Sequence, residues 1–184
     1  YSFPAANKPI LNAVLLPDKA LITPVCESLS ECLGGIKAAI DKHDLQWVML
    51  RQKQLTDDDY YRWAVAIKAA IQASTNATIE KESIIKDAVN KAAGHKAPDN
   101  KSALLTLNCS VELANRLNAD GLHLTSTRLM ALTGREEFTG RFLGASCHSV
   151  DELNRAVTLK CDYVTLSPVS ATSSHPETPA IGWL

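Results

Sequence analysis

The chain carries 184 residues, 46% of them hydrophobic and 21% charged, with a formal net charge of -1. That balance describes one ordinary globular domain, long enough for a substantial core. It offers no global attraction to nucleic acid or to an anionic membrane, so any phosphate binding has to be local.

No apolar run approaches the roughly 20 residues of a membrane-spanning helix. No basic segment leads into an apolar stretch, so a signal peptide is not expected. Five cysteines, Cys26, Cys32, Cys109, Cys147 and Cys161, form no CxxC pair. They read as reduced structural thiols of a cytoplasmic protein, with a disulfide or a metal site as the alternative. The first residue is Tyr1 rather than Met, so the chain is expected to begin inside a longer gene product or to be an expressed fragment.

Residues 1–18 contain three prolines and read as a linker or N-terminal arm. Residues 20–23 form a short strand stopped by Pro24, and 27–42 show helical spacing with Leu29, Leu33, Ile36 and Ile40 on one face. Residues 46–50 are a second strand ending in Arg51-Gln52-Lys53. Thr56 and three aspartates open a helix through about residue 73, the acids complementing its N-terminal dipole. Residues 79–93 suggest a further helix, and 94–101 a polar loop, together resembling an insertion.

Strand three is expected at 103–107, followed by a short helix at 111–117 and strand four at 121–124. A brief helical turn at 129–132 leads to strand five at 143–146. Ser149 and Glu152 make a capping box for a helix to about residue 159, and strand six covers 163–166 before a Ser/Thr/Pro-rich tail.

Strands and helices alternating at roughly 25-residue steps imply a parallel sheet with right-handed crossovers. The strands are apolar on both faces, as in a barrel covered by helices. The expected fold class is therefore α/β, a TIM-type (β/α)8 barrel with about six of its eight units visible. Residues 19–184 are read as an incomplete barrel domain, truncated at the C-terminus. An open sheet leaves two bare edges, so completion through a homodimer is the alternative.

Function is expected where strands end in small polar residues, because there a ligand can approach the backbone. Strand five runs into Ser146-Cys147-His148 and strand six into Ser167-Pro168, then Thr172-Ser173-Ser174-His175. Arg51 and Lys53, two apart at the end of strand two, project to one side, where the plain reading is a solvated charge pair. Ser146 and His148 share a face from which Cys147 points away. An imidazole at that position suits proton transfer near neutral pH, or caps the following helix. His123, between Leu122 and Leu124, is expected to face the barrel interior in a structural role. Asp162 and Tyr163 are expected to set the start of strand six, while His175 either covers the mouth or lies exposed.

The succession Leu21-Ile22-Thr23, Leu50-Arg51-Gln52-Lys53, Leu107-Asn108, Ala119-Asp120-Gly121-Leu122-His123-Leu124, Gly144 through His148 and Asp162 through Thr172 resembles the thiamin phosphate synthase and thiazole tautomerase superfamily. The order and spacing agree over about residues 19–176. The segments HLTSTRLMAL, ASCHSVDEL and SHPETPAIGW, with the arm YSFPAANKPI, look like the domain that follows a Nudix hydrolase in some bacterial fusions.

The resemblance implies a domain that binds a phosphorylated thiazole or pyrimidine precursor, with Arg51, Lys53, Asn108, Thr172 and Ser174 on the phosphorylated ligand and Ser146 and His148 in catalysis. It implies Mg²⁺ if synthase activity is retained. Yet Asn108 is followed by Cys109 where the family's pattern has Asp, and Arg128 stands where its second metal carboxylate falls. A metal-independent thiazole tautomerase, using His148, and a non-catalytic ligand-sensing or assembly module are therefore the alternative functions. The implied partners are a small phosphorylated ligand and a fused Nudix domain.

Overall fold

The computed structural model describes residues 16–43, 45–89 and 103–170, the side chains of 75–89 excepted. The arm 1–15, the loop 94–101 and the tail with Thr172, Ser174 and His175 lie outside the described residues.

The elements run β1 (Leu21–Ile22), α1 (Leu29–His43), β2 (Trp47–Leu50), α2 (Asp57–Val89), β3 (Leu104–Leu107) and α3 (Val111–Arg116). They continue with β4 (Gly121–Leu124), α4 (Ser126–Ala131), a 3₁₀ turn (Arg135–Glu137), β5 (Phe142–Cys147), α5 (Val150–Thr158) and β6 (Tyr163–Leu166). The six strands form one sheet in the order β1-β2-β3-β4-β5-β6, and every pairing is parallel. Consecutive strands pair through helical crossovers, which makes this a six-stranded half-barrel. Two helices expected at 56–73 and 79–93 are instead the single α2, because neither Pro nor Gly interrupts residues 57–89.

Strand alternation sorts the side chains into two faces. Val48, Leu50, Leu107, Leu122, Leu124 and Leu143 are almost fully enclosed on the helical side. Helices close over them with Ile36, Ile67, Leu113, Leu129 and Ala156. The face expected for α1 packs there too, with Ile36 and Cys32 buried and Leu29, Leu33 and Ile40 half-buried. A cavity of about 230 Å³ lies on this helical side, between α2 and the outer surface of β3.

The concave face is polar. Trp47 Nε1 donates to Thr106 Oγ1 at 2.9 Å. The Tyr163 ring meets Trp47 edge-on at 4.9 Å and lies over the His123 ring at 5.5 Å. His123 Nδ1 is 3.1 Å from the Tyr163 hydroxyl and Nε2 is 2.8 Å from Ser146 Oγ. A neutral imidazole satisfies both, since one nitrogen donates, the other accepts, and a hydroxyl serves either role. To reach these partners, Tyr163 passes over Gly144, where an added Cβ would sit 2.0 Å from the ring. Residue 144 is therefore glycine for close approach rather than for backbone freedom.

The lower end of the sheet is fastened by two aspartates. Asp120 Oδ2 accepts from Leu105 N at 3.3 Å, and Asp162 Oδ2 accepts from Leu143 N at 2.7 Å. Each stands just before its own strand and holds the preceding one, so Asp162 sets the start of β6 as expected.

Two predictions follow from the concave layer. Gly144→Ala should destabilise the fold by about 1–3 kcal/mol in urea unfolding, because the ring has to move. Burial, aided by the Arg51 charge, pushes His123 down from 6.5 to about 4. The unfolded chain thus binds the extra proton over that interval, so this contribution is complete above pH 6.5 and is lost as pH falls through 4. It is on the order of 3 kcal/mol, and His123→Gln should flatten the fall in urea midpoint between neutral and acid pH.

Candidate functional site

The C-terminal ends of the strands form the mouth of the half-barrel. Leaving β2, Arg51 and Lys53 are exposed, while Gln52 between them is 2% exposed. The Gln52 amide explains that pattern. Its Nε2 donates to Thr23 Oγ1 at 3.0 Å and to the Pro24 carbonyl, and its Oε1 accepts from Cys26 N at 3.0 Å. Gln54 Nε2 donates to the same Oε1 at 2.7 Å. Arg51 N donates to Thr23 Oγ1 at 3.0 Å. One buried amide thereby ties the loops after β1 and β2 together and leaves both cations facing outward.

Asn108 ends β3. Its amide donates to the Leu50 carbonyl at 3.1 Å and to the Tyr60 hydroxyl at 3.0 Å, while that hydroxyl donates to Leu50 O at 2.7 Å. Its Nδ2 donates to the His123 carbonyl at 2.8 Å. Asn108 therefore bridges β2, β3 and β4 in one fixed pose. Tyr60 is buried, and burial drives its hydroxyl well above the usual phenol range, so it acts here as a neutral bridge.

Ser146 ends the concave row of β5. Besides His123, its Oγ accepts from Thr165 Oγ1 at 3.3 Å. His148 follows two residues on and is exposed. Its ring Nδ1 lies 2.6 Å from the Ser167 carbonyl. A carbonyl only accepts, so Nδ1 carries the proton and Nε2 is the nitrogen left for a ligand. The capping role belongs to its main chain, whose N–H donates to Glu152 while Ser149 Oγ accepts from Glu152 N at 3.2 Å. Cys147 points the other way and is wholly buried.

The structure thus brings Arg51, Asn108, Ser146 and His148 to one rim, with Lys53 on the adjoining turn; Thr172 and Ser174 fall outside the described residues. Sequence reading missed Tyr60, Gln52 and Tyr163 as organisers of this rim. Gly144 opposite Tyr163 in the β5–β6 register was a usable signal for the ring's path, whereas nothing local marked Tyr60.

A family model described as thiamine monophosphate synthase matches residues 80–184, more than half of the chain. The thiamine-phosphate synthase of Parasynechococcus marenigrum is 42% identical over 81 residues, 44% of this chain and 23% of that protein. The thiamine-phosphate synthase of Lysinibacillus sphaericus is 40% identical over 71 residues, 39% of this chain and 33% of that protein. The chain spans a quarter to a third of these two relatives. A solved structure, the thiamine phosphate pyrophosphorylase from Pyrococcus furiosus, superposes with a TM-score of 0.54 at 15% identity, covering 89% of this chain and 64% of that one. That likeness concerns the fold, and it extends to the first strands, which the family match does not reach. With strand order and sequence match in agreement, the chain belongs to the thiamine monophosphate synthase family.

Proposed function

We propose that this domain binds a phosphorylated thiazole or pyrimidine precursor of thiamin at the strand-end rim, in the cytoplasm and joined to a Nudix hydrolase through the 1–18 arm. The observation that carries the reading is the convergence of exposed Arg51 and Lys53 with Asn108 and Ser146 on one rim of a family member. Cations and fixed amide or hydroxyl groups are what a phosphate ester requires. Such groups orient the ligand and hold its charge; they do so whether or not turnover follows.

The residues present do not fit the Mg²⁺ that synthase chemistry in this family implies. Mg²⁺ takes hard oxygen ligands anchored by one or two carboxylates. After Asn108 comes Cys109, a buried thiol that burial pushes up to about 12, which keeps it protonated. Arg128 supplies a guanidinium. Among the described residues no three His, Cys, Asp or Glu side chains gather in a metal-holding group.

The pose of His148 favours a second reading, a thiazole tautomerase. With Nδ1–H held by the Ser167 carbonyl, Nε2 takes a proton from a carbon acid and returns it to a neighbouring atom of the same ligand. The proton count is unchanged.

Calorimetric titration with the thiazole phosphate, the thiazole carboxylate phosphate and the pyrimidine diphosphate tests the main reading. At least one should bind, and Arg51→Ala with Lys53→Ala should weaken it by about tenfold or more; silence from all three ligands sinks it. For the tautomerase, His148→Ala should lower turnover by about 10²–10⁴ while binding stays within a few-fold. An unaffected variant removes His148 as the base. Binding without turnover would place the domain in a sensing role.

A further inference from the structure

The cavity of about 230 Å³ on the helical side of the sheet lies below the rim. Leu105 and Leu107, both enclosed, form its floor, and Ala64 and Ala69 of α2 form one wall. Leu117 and Ala119, between α3 and β4, form the other. Helix lengths leave this space open. α2 meets α3 where the Arg116 guanidinium lies 4.3 Å from the centre of the Tyr61 ring. There α3 ends after six residues while α2 continues, so the next turns of α2 face the 117–120 segment instead of a helix.

Well-packed interiors hold few voids larger than a water molecule. An apolar cavity of about 150 Å³ takes a benzene ring, so this one has room for a ring with a small substituent. Charge reaches it from two side chains. Lys68 Nζ donates to the Asn118 carbonyl at 2.7 Å and to the Leu117 carbonyl at 3.4 Å, which holds the ammonium across the opening. An ammonium carries three donors, so one is left for a ligand. Among the described residues Lys68 belongs to neither ion pair, Arg62–Asp59 or Arg135–Asp162. Asp120, the acid at the cavity, turns its Oδ2 to the Leu105 amide at 3.3 Å.

We propose that this cavity binds a small apolar carboxylic acid, its ring or short chain against Leu105 and Leu107 and its carboxylate on Lys68. The apolar part leaves water for a floor of leucines. The carboxylate accepts the spare ammonium proton in a charge-assisted hydrogen bond. An amine in the same place would meet a like charge and be repelled. The position also matters to the rim. Ala64 follows Tyr60 by one helical turn on α2, and Leu107 directly precedes Asn108 on β3. A bound ring therefore braces α2 against β3 beneath the hydrogen bond from the Asn108 amide to the Tyr60 hydroxyl.

Titration of the full chain with benzoate, followed by NMR, tests the site. Nuclear Overhauser contacts should join the benzoate ring protons to the methyl groups of Leu105 and Leu107. Benzylamine should bind the unaltered chain at least about tenfold more weakly, and Lys68→Met should weaken benzoate binding by about tenfold. Ala69→Leu should fill the space and abolish binding. Ala69 is exposed, so the thermal melt of that variant should match the parent. Absence of the Leu105 and Leu107 contacts, or an affinity untouched by Ala69→Leu, overturns the site. Benzylamine binding as tightly as benzoate, or a Lys68→Met affinity equal to the parent's, overturns the pairing with Lys68 and the ligand class with it. None of these outcomes depends on whether the rim takes a phosphorylated ligand.

Discussion

The Tyr163 ring lying across the Cα of Gly144 is the contact on which the concave side of this half-barrel depends. From that one passage the ring reaches both Trp47 on β2 and His123 on β4, crossing the sheet that the strands otherwise build only neighbour by neighbour. His123 then passes the constraint to Ser146, whose hydroxyl stands at the mouth. A parallel sheet gains its stability on the helical side, where leucines and isoleucines are enclosed. The inner side needs a different means of fixing its polar groups, and an aromatic ring over a missing Cβ supplies it.

Above this layer, the rim is held by groups that do not themselves face a ligand. Gln52 is enclosed so that Arg51 and Lys53 are not. Tyr60 joins the ends of β2 and β3, and Asn108 is thereby set in place for β4 to hold its side chain. The supporting residues cost the rim none of its exposed charge. They fix the backbone from which the exposed rim groups project.

Much of the architecture was legible because period and punctuation agree. Leu29, Leu33, Ile36 and Ile40 mark a helix face by spacing alone, and the alternation around His123 places it on the concave side. Arg51 and Lys53 could be assigned to one side by the same alternation. Elsewhere the local signal was silent or misleading. The Thr75-Asn76 stretch has poor helix propensity yet no breaker, and α2 runs through it. The helical turn expected at 129–132 starts earlier, at Ser126, because Thr125 caps α4 by accepting from the Arg128 amide. Tyr60 follows three aspartates at a helix start, where nothing nearby announces a hydroxyl enclosed beneath two strand ends. Such contacts join residues 48 positions apart, and short-range patterns do not carry them.

Asp120 and Asp162 fasten the sheet at the end away from the mouth, each holding the backbone amide of the neighbouring strand. Alignment of the strands is thus decided at one pole of the domain, while the exposed rim groups stand at the other. Residues at the mouth can be exchanged, a carboxylate for the thiol of Cys109 or for the guanidinium of Arg128, without loosening what sets the strands in line. Chemistry in this chain is free to drift while its register stays put.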